Sequence, residues 1–257
     1  MNKDLIRQIV NVLAVIVMIT INVLANALPI NGQNTGEISD LFQVFFVPAG
    51  YVFSIWGLIY IGLLAFAVYQ ALPAQRENPR LRKIGYWFAL SCVANSVWIF
   101  MWHYNLFPLS LLVMLVLLAS LLVIYLRLDI GRTQVSTVER WCVNIPFSIY
   151  LGWITVATVA NVTDVLYDVG WTGFGIAPEI WAVIMLIIAA ALGVAMAVTR
   201  RDVAYLLVLT WAFAGIGVKQ AASPLVATTA WIVTVLMIGM IFYSFFTRKG
   251  QVSPAPA

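Results

Sequence analysis

Three groups of side chains carry the chemistry available to this sequence. They are Tyr51, Phe53, Trp56 and Tyr60; Asn95, Trp98 and Trp102; and Trp153, Ala157 and Asn161. Trp56 and Tyr60 are spaced i, i+4, the second group i, i+3, i+7 and the third i, i+4, i+8, so each set forms one stripe on a helix. Indole and phenol faces favour flat, conjugated or sterol-like ligands through stacking and dispersion. Carboxamides add hydrogen bonds to a polar edge. Acid–base catalysis is poorly served, because tyrosine alone is a weak acid or base at neutral pH. The single histidine, His103, falls at a turn and reads as an interfacial, solvated residue rather than a haem ligand. Cys92 and Cys142 lie in or beside apolar sequence and read as buried thiols, supporting neither a disulfide framework nor a zinc site. No catalytic residue, metal ligand or obligatory cofactor is expected.

The elements that must position these groups are membrane helices. The chain has 257 residues, 63% of them hydrophobic and only 9% charged, against about a quarter charged in a soluble domain. Apolar runs long enough to cross a bilayer predict eight helices, over 8–28, 48–72, 83–103, 106–126, 141–163, 179–199, 203–219 and 225–247. Pro48 suits a first helical turn at the start of the second. The first run competes with a signal peptide, since Lys3 and Arg7 precede it and Ala25-Asn26-Ala27 resembles a cleavage site, although the run is long for one. With both termini inside, Lys219 is the sole basic residue placed outside among the 14 Lys and Arg, a strong positive-inside pattern. The net charge of +4 is therefore a topology signal and implies no nucleic-acid partner. No predicted helix interior contains Asp, Glu, Lys or Arg, which argues against proton relays, ion-coupled carriers and enzymatic acid–base chemistry. The tail 250–257 is predicted to be disordered.

Within this frame Asn95 lies about 12 Å below the outer end of the third helix, and Trp153 falls at a similar depth on the fifth. Two readings stay open. Aromatic belts explain Tyr51, Trp102 and Tyr104, and interhelical hydrogen bonding explains intramembrane asparagines, Asn22 and Asn26 included. Belts do not explain Trp56, Trp98 and Trp153, which lie deeper and suit a small-molecule pocket. Gly152, Ala189, Gly193 and Ala197 read as close helix-packing positions.

These motifs resemble the tryptophan-rich sensory protein/translocator (TspO/MBR) family. Pro48-Ala49-Gly50-Tyr51-Val52-Phe53 with Trp56 and Tyr60 is similar to its P-x-G-W-x-F-x-x-V-W-x-x-L-Y run. Ala94 to Trp98 resembles its A-x-N-x-x-W segment, and Trp153 to Asn161 its W-x-x-F-A-x-x-L-N segment. The chain departs from the pattern at Tyr51, where the family has Trp, and at Pro146, whose spacing would substitute Tyr150 for Trp153.

The resemblance covers residues 8–165 and implies a five-helix transmembrane region over 1–165 with an additional three-helix region over 166–249. The whole is expected to be an all-α, polytopic membrane bundle in the bacterial cytoplasmic membrane. The resemblance further implies a pocket roofed by the loop from Pro29 to Val47, which carries Glu37 and Asp40. A tetrapyrrole such as haem or protoporphyrin, or a sterol, would bind there for transport or sensing. Asn95 or Asn161 would meet its polar edge. Expected partners are the bilayer and this hydrophobic small molecule, with a homodimer as one oligomeric option. The alternatives are tryptophan-dependent porphyrin degradation, and helix packing against another membrane protein without a small ligand.

Overall fold

The computed structural model describes residues 2–248; Lys249 and the tail 250–257 lie outside the described residues. All eight expected segments are helical: α1 (Lys3–Ala27), α2 (Ile55–Ala71), α3 (Trp87–His103), α4 (Phe107–Arg127), α5 (Ile145–Asp168), α6 (Pro178–Arg200), α7 (Val203–Lys219) and α8 (Pro224–Arg248). Among the described residues there are no strands. Six helical spans are long and apolar enough to cross a membrane; α3 and α7, at 17 residues each, are shorter and pack among them.

Local chemistry sets the boundaries. The Asn2 side chain accepts from the Asp4 N–H to cap α1, and Asp202 accepts from the Tyr205 N–H to cap α7. Prolines open α6 and α8 where a missing N–H costs nothing. Before α5 a one-turn helix at Thr137–Glu139 leads into a π-turn at Arg140–Asn144. Pro146 cannot donate the next helical bond, and the slackened turn closes instead from the Ile145 N–H to the Arg140 carbonyl.

Two boundary expectations are corrected. The segment at Pro48 does not begin an α-helix: Gly50–Ser54 is a 3-10 turn and α2 starts at Ile55. The fifth helix continues past 163 to Asp168, which brings Asp164 inside it and 4% exposed. The expectation of charge-free helix interiors therefore fails at Asp164, because an apolar run can end before the hydrogen-bonded helix does.

Helices α1 to α5 close a ring. α1 packs on α2 and α3, α3 on α4, α4 on α5, and α5 returns to α2. Small residues permit the closest crossings: a Cβ on Gly62 of α2 would lie 3.1 Å from the Pro146 Cβ of α5. The other three helices dock through α7, which packs along α5 and is held by α6 and α8. Gly152 lets α5 approach α7, since a Cβ there would stand 3.1 Å from the Val208 Cβ. Gly193 on α6 admits the Met237 side chain of α8, and Ala189 and Ala197 are fully buried. These are the packing roles expected of small residues in membrane bundles.

The basic residues gather at one end. Arg7 bonds Asp4 and the Arg76 carbonyl, and Arg82 reaches Asp4. Arg80 ties the α2–α3 connection to Glu139, the Leu128 carbonyl and Asn144. Arg200 reaches Asp129 at 2.6 Å, and Arg201 bonds Thr247 at 3.1 Å. Consecutive helices thus alternate in direction, and both ends of the described chain lie at the basic end.

Candidate functional site

At the opposite end of the ring the aromatic and amide stripes meet. From α1, α2, α3 and α5 a polar ladder crosses the interior. The Tyr60 hydroxyl donates to Asn22 Oδ1 at 2.9 Å, Asn22 Nδ2 to Asn95 Oδ1 at 2.7 Å, and Asn95 Nδ2 to the Tyr150 hydroxyl at 3.0 Å. A second link joins α3, α4 and α5. Trp98 Nε1 donates to Asn161 Oδ1 at 3.2 Å, and Asn161 Nδ2 to Ser110 Oγ at 3.1 Å. Asn95 and Asn161 are 0% and 2% exposed, so leaving either unpaired would carry a desolvation cost.

The rings pack around these bonds. Trp56 stacks on Tyr60 with centroids 5.6 Å apart, and meets Tyr150 and Trp153 edge-on at 6.1 and 6.3 Å. Phe53 meets Trp153 edge-on at 5.7 Å. Tyr150 and Trp153 both face Trp56, so the proline spacing forces no choice between them. Nearer the helix ends Trp98 stacks on Trp102 at 5.3 Å, and Trp102 packs on Phe107 and Phe42. Phe53, Trp56, Tyr60 and Ala157 are only half-buried, whereas Tyr150 and Trp153 are buried. Among these rings Trp153 Nε1 is buried and has no acceptor.

The segment between α1 and α2 folds over this cluster. Asn34 and Glu37 form a reciprocal capping box on a one-turn helix, Thr35–Ser39. Ile38 within it and Phe46 beyond it are fully buried. Trp102 Nε1 donates to the Thr35 carbonyl at 3.3 Å. His103, expected at the solvated rim, is instead 0% exposed. Its Nδ1 lies 3.1 Å from the Ile30 carbonyl and its Nε2 3.0 Å from Thr35 Oγ1, so it pins the lid to α3. α7 holds the other flank: Lys219 Nζ reaches Asp40 at 2.7 Å, and the Ala49 N–H donates to the Gly215 carbonyl at 3.1 Å.

Of the ten expected site residues, nine are arranged through the ring and beneath the lid, with Ala157 one turn beyond Trp153 on α5. Tyr51 is the exception. It is 50% exposed and packs edge-on against Trp211 of α7, outside the ring. The 3-10 turn advances each residue further around the axis than an α-helix does, which turns Tyr51 away from the Trp56 face. Asn22, Tyr150, Ser110 and Phe42 complete the site and were not among the expected ten. Asn22 and Tyr150 were visible as a buried amide and an aromatic near Pro146; Ser110 and Phe42 have no local signal. Asp164, one turn beyond Asn161, is buried with Oδ1 unpartnered. Among the described residues no group of three or more His, Cys, Asp or Glu comes together to hold a metal ion.

A cavity of about 910 Å³ lies elsewhere, and none of the ten expected residues lines it. No curated protein and no solved structure matches the chain. The model of one family, described as TSPO-like protein, matches residues 8–243, continuing past the motif-bearing part through α6, α7 and most of α8. By that match over nearly its whole length, the chain belongs to the TSPO-like protein family.

Proposed function

We propose that this multi-pass integral membrane protein binds a flat, hydrophobic ligand of the tetrapyrrole or sterol class among Phe53, Trp56, Tyr60 and Trp153, for transport or sensing. Family membership supports the ligand class. The observation that carries the site is the buried Trp153 indole N–H without an acceptor, between the rings of Phe53 and Trp56. A stranded donor of this kind costs about 1–3 kcal/mol, and a ligand carboxylate, carbonyl or ring nitrogen would recover it. The half-buried faces of Trp56 and Tyr60 offer the stacking surface.

Asn95 and Asn161 play a different part from the one their sequence positions suggest. Their amides are committed to Tyr150, Asn22, Trp98 and Ser110, so they brace the ring while Trp153 meets the polar edge. Entry requires the lid to lift and the Trp56 and Trp153 rings to part. With the basic end facing the cytoplasm of a bacterium, as the charge bias favours, the lid opens on the outer side.

Fluorescence titration of the solubilised protein with protoporphyrin tests this reading. Saturable quenching at one ligand per chain, relieved by excess sterol, is the expected result. Quenching that rises linearly with ligand, as in detergent partitioning, would contradict it.

A further inference from the structure

The 910 Å³ cavity lies outside the ring, in the cleft between α2 and α7 where both pack along α5. Its two ends differ in chemistry. One is lined by Leu58 of α2, Ile149 of α5, and Leu207 and Trp211 of α7. Leu58 and Trp211 are 54% and 41% exposed, so the cleft is open along its side rather than sealed in the core. The other end is formed by the connection between α4 and α5, which brings the exposed Arg132 and Arg140 into the lining together with Asn144.

These arginines differ from the four ion-paired arginines of the basic end, and, unlike Arg76 and Arg127, which among the described residues also lack a carboxylate, they line the cavity. Arg7 and Arg82 hold Asp4, Arg80 holds Glu139 and Arg200 holds Asp129. Among the described residues neither Arg132 nor Arg140 has a carboxylate within ion-pair distance; the one polar contact of the Arg132 side chain is from Nε to the Thr199 carbonyl at 3.4 Å. The acid in the cavity lining is Asp202, and its oxygens are occupied. It accepts from the Tyr125 hydroxyl at 2.8 Å, Ser148 Oγ at 2.6 Å and the Tyr205 N–H at 3.2 Å.

The cleft also has a telling length. From Asp202 to Trp211, α7 rises about 14 Å, close to half of a hydrocarbon core about 30 Å thick. A side-opening apolar channel one leaflet deep, with two uncompensated guanidinium groups at its interfacial end, matches a double-ended molecule. We infer that this cleft holds one anionic phospholipid, its phosphate between Arg132 and Arg140 and one acyl chain against Leu58, Ile149, Leu207 and Trp211. Guanidinium–phosphate pairing supplies the head-group preference, and chain burial supplies the head-group-independent part of the affinity. The site is separate from the aromatic cluster, and the inference does not depend on what that cluster binds.

Native mass spectrometry of the full chain, titrated with phosphatidylglycerol and with phosphatidylcholine, tests it. The expected result is one phosphatidylglycerol retained per chain under activation that strips phosphatidylcholine. Arg132→Gln with Arg140→Gln should weaken phosphatidylglycerol retention at least tenfold. Lys3→Gln with Lys83→Gln, which removes the same charge from the same end, should leave it unchanged. Leu207→Trp, which fills the channel and spares both arginines, should reduce retention of both lipids and covers the case in which the double arginine variant does not fold. Equal retention of the two lipids, equal loss in the lysine control, or full retention in Leu207→Trp would each overturn the assignment.

Discussion

The polar ladder makes a quantitative demand on stability, and Asn22 is its node. Its carboxamide accepts from Tyr60 and donates to Asn95, linking α1 to α2 and α3. Asn22→Ala removes both interhelical bonds in a region where water cannot substitute for the lost partner. Interhelical hydrogen bonds in membrane proteins average about 0.6 kcal/mol and reach about 1.7, so two of them predict a loss of about 1–3 kcal/mol. Part of that loss belongs to the bond shared with Asn95. A double-mutant cycle of Asn22→Ala and Asn95→Ala should therefore give a coupling of about 0.6–1.7 kcal/mol. The assay is equilibrium unfolding of the protein in mixed micelles as the denaturing detergent fraction rises, read by far-UV circular dichroism. Additivity of the two substitutions within about 0.3 kcal/mol, the level seen for independent sites, would show that the 2.7 Å contact contributes nothing. The ladder would then be a consequence of packing rather than a brace.

Other consequences are as direct. Lys219→Ala breaks the ion pair between α7 and the lid, and Lys219 is partly exposed; global stability should change by less than about 1 kcal/mol. Amide exchange across 35–47 should nevertheless accelerate severalfold by hydrogen–deuterium exchange, and unchanged exchange would show that α7 does not hold the lid. Gly215→Ala places a methyl into Val52 and 3.2 Å from the Pro48 Cβ, an overpacking that predicts about 1–3 kcal/mol lost in the same unfolding assay. His103→Ala removes the contacts to Ile30 and Thr35 and should loosen the one-turn helix enough for a glutamate-specific protease to cleave at Glu37, whose side chain is already exposed; persistent resistance would show that the lid is held without it.

Much of this arrangement is legible in the sequence because bilayer physics leaves strong marks. Long apolar runs located all eight helices, and clustered arginines indicated which connections share an end. The i, i+3, i+7 stripe of Asn95, Trp98 and Trp102 did face the ring interior, since a helix fixes which residues share a side. Features that depend on local exceptions or distant partners were not legible. Tyr51 was misplaced because a 3-10 turn shifts the phase of a run that reads as one helix. Asp164 was missed because hydropathy marks where apolar sequence stops, and the α5 hydrogen bonds continue for another turn. His103 is buried only because the segment from Ile30 to Thr35 folds back onto it, a contact between residues about seventy positions apart that no local pattern encodes. The pairing of Trp98 with Asn161 has the same character: each residue stood out alone, but their bond depends on how α3 and α5 sit around α4.

The central claim is that the ligand's polar edge meets Trp153 inside the ring and that Tyr51 stands outside it. The most direct measurement is a Soret-band absorbance titration of protoporphyrin into Trp153→Phe and Tyr51→Phe beside the parent protein. Loss of one charge-assisted indole hydrogen bond, about 1.5 kcal/mol, predicts an affinity about tenfold weaker for Trp153→Phe, with Tyr51→Phe indistinguishable from the parent. Parent-like binding by Trp153→Phe, or a loss confined to Tyr51→Phe, would move the site out of the ring and contradict the account.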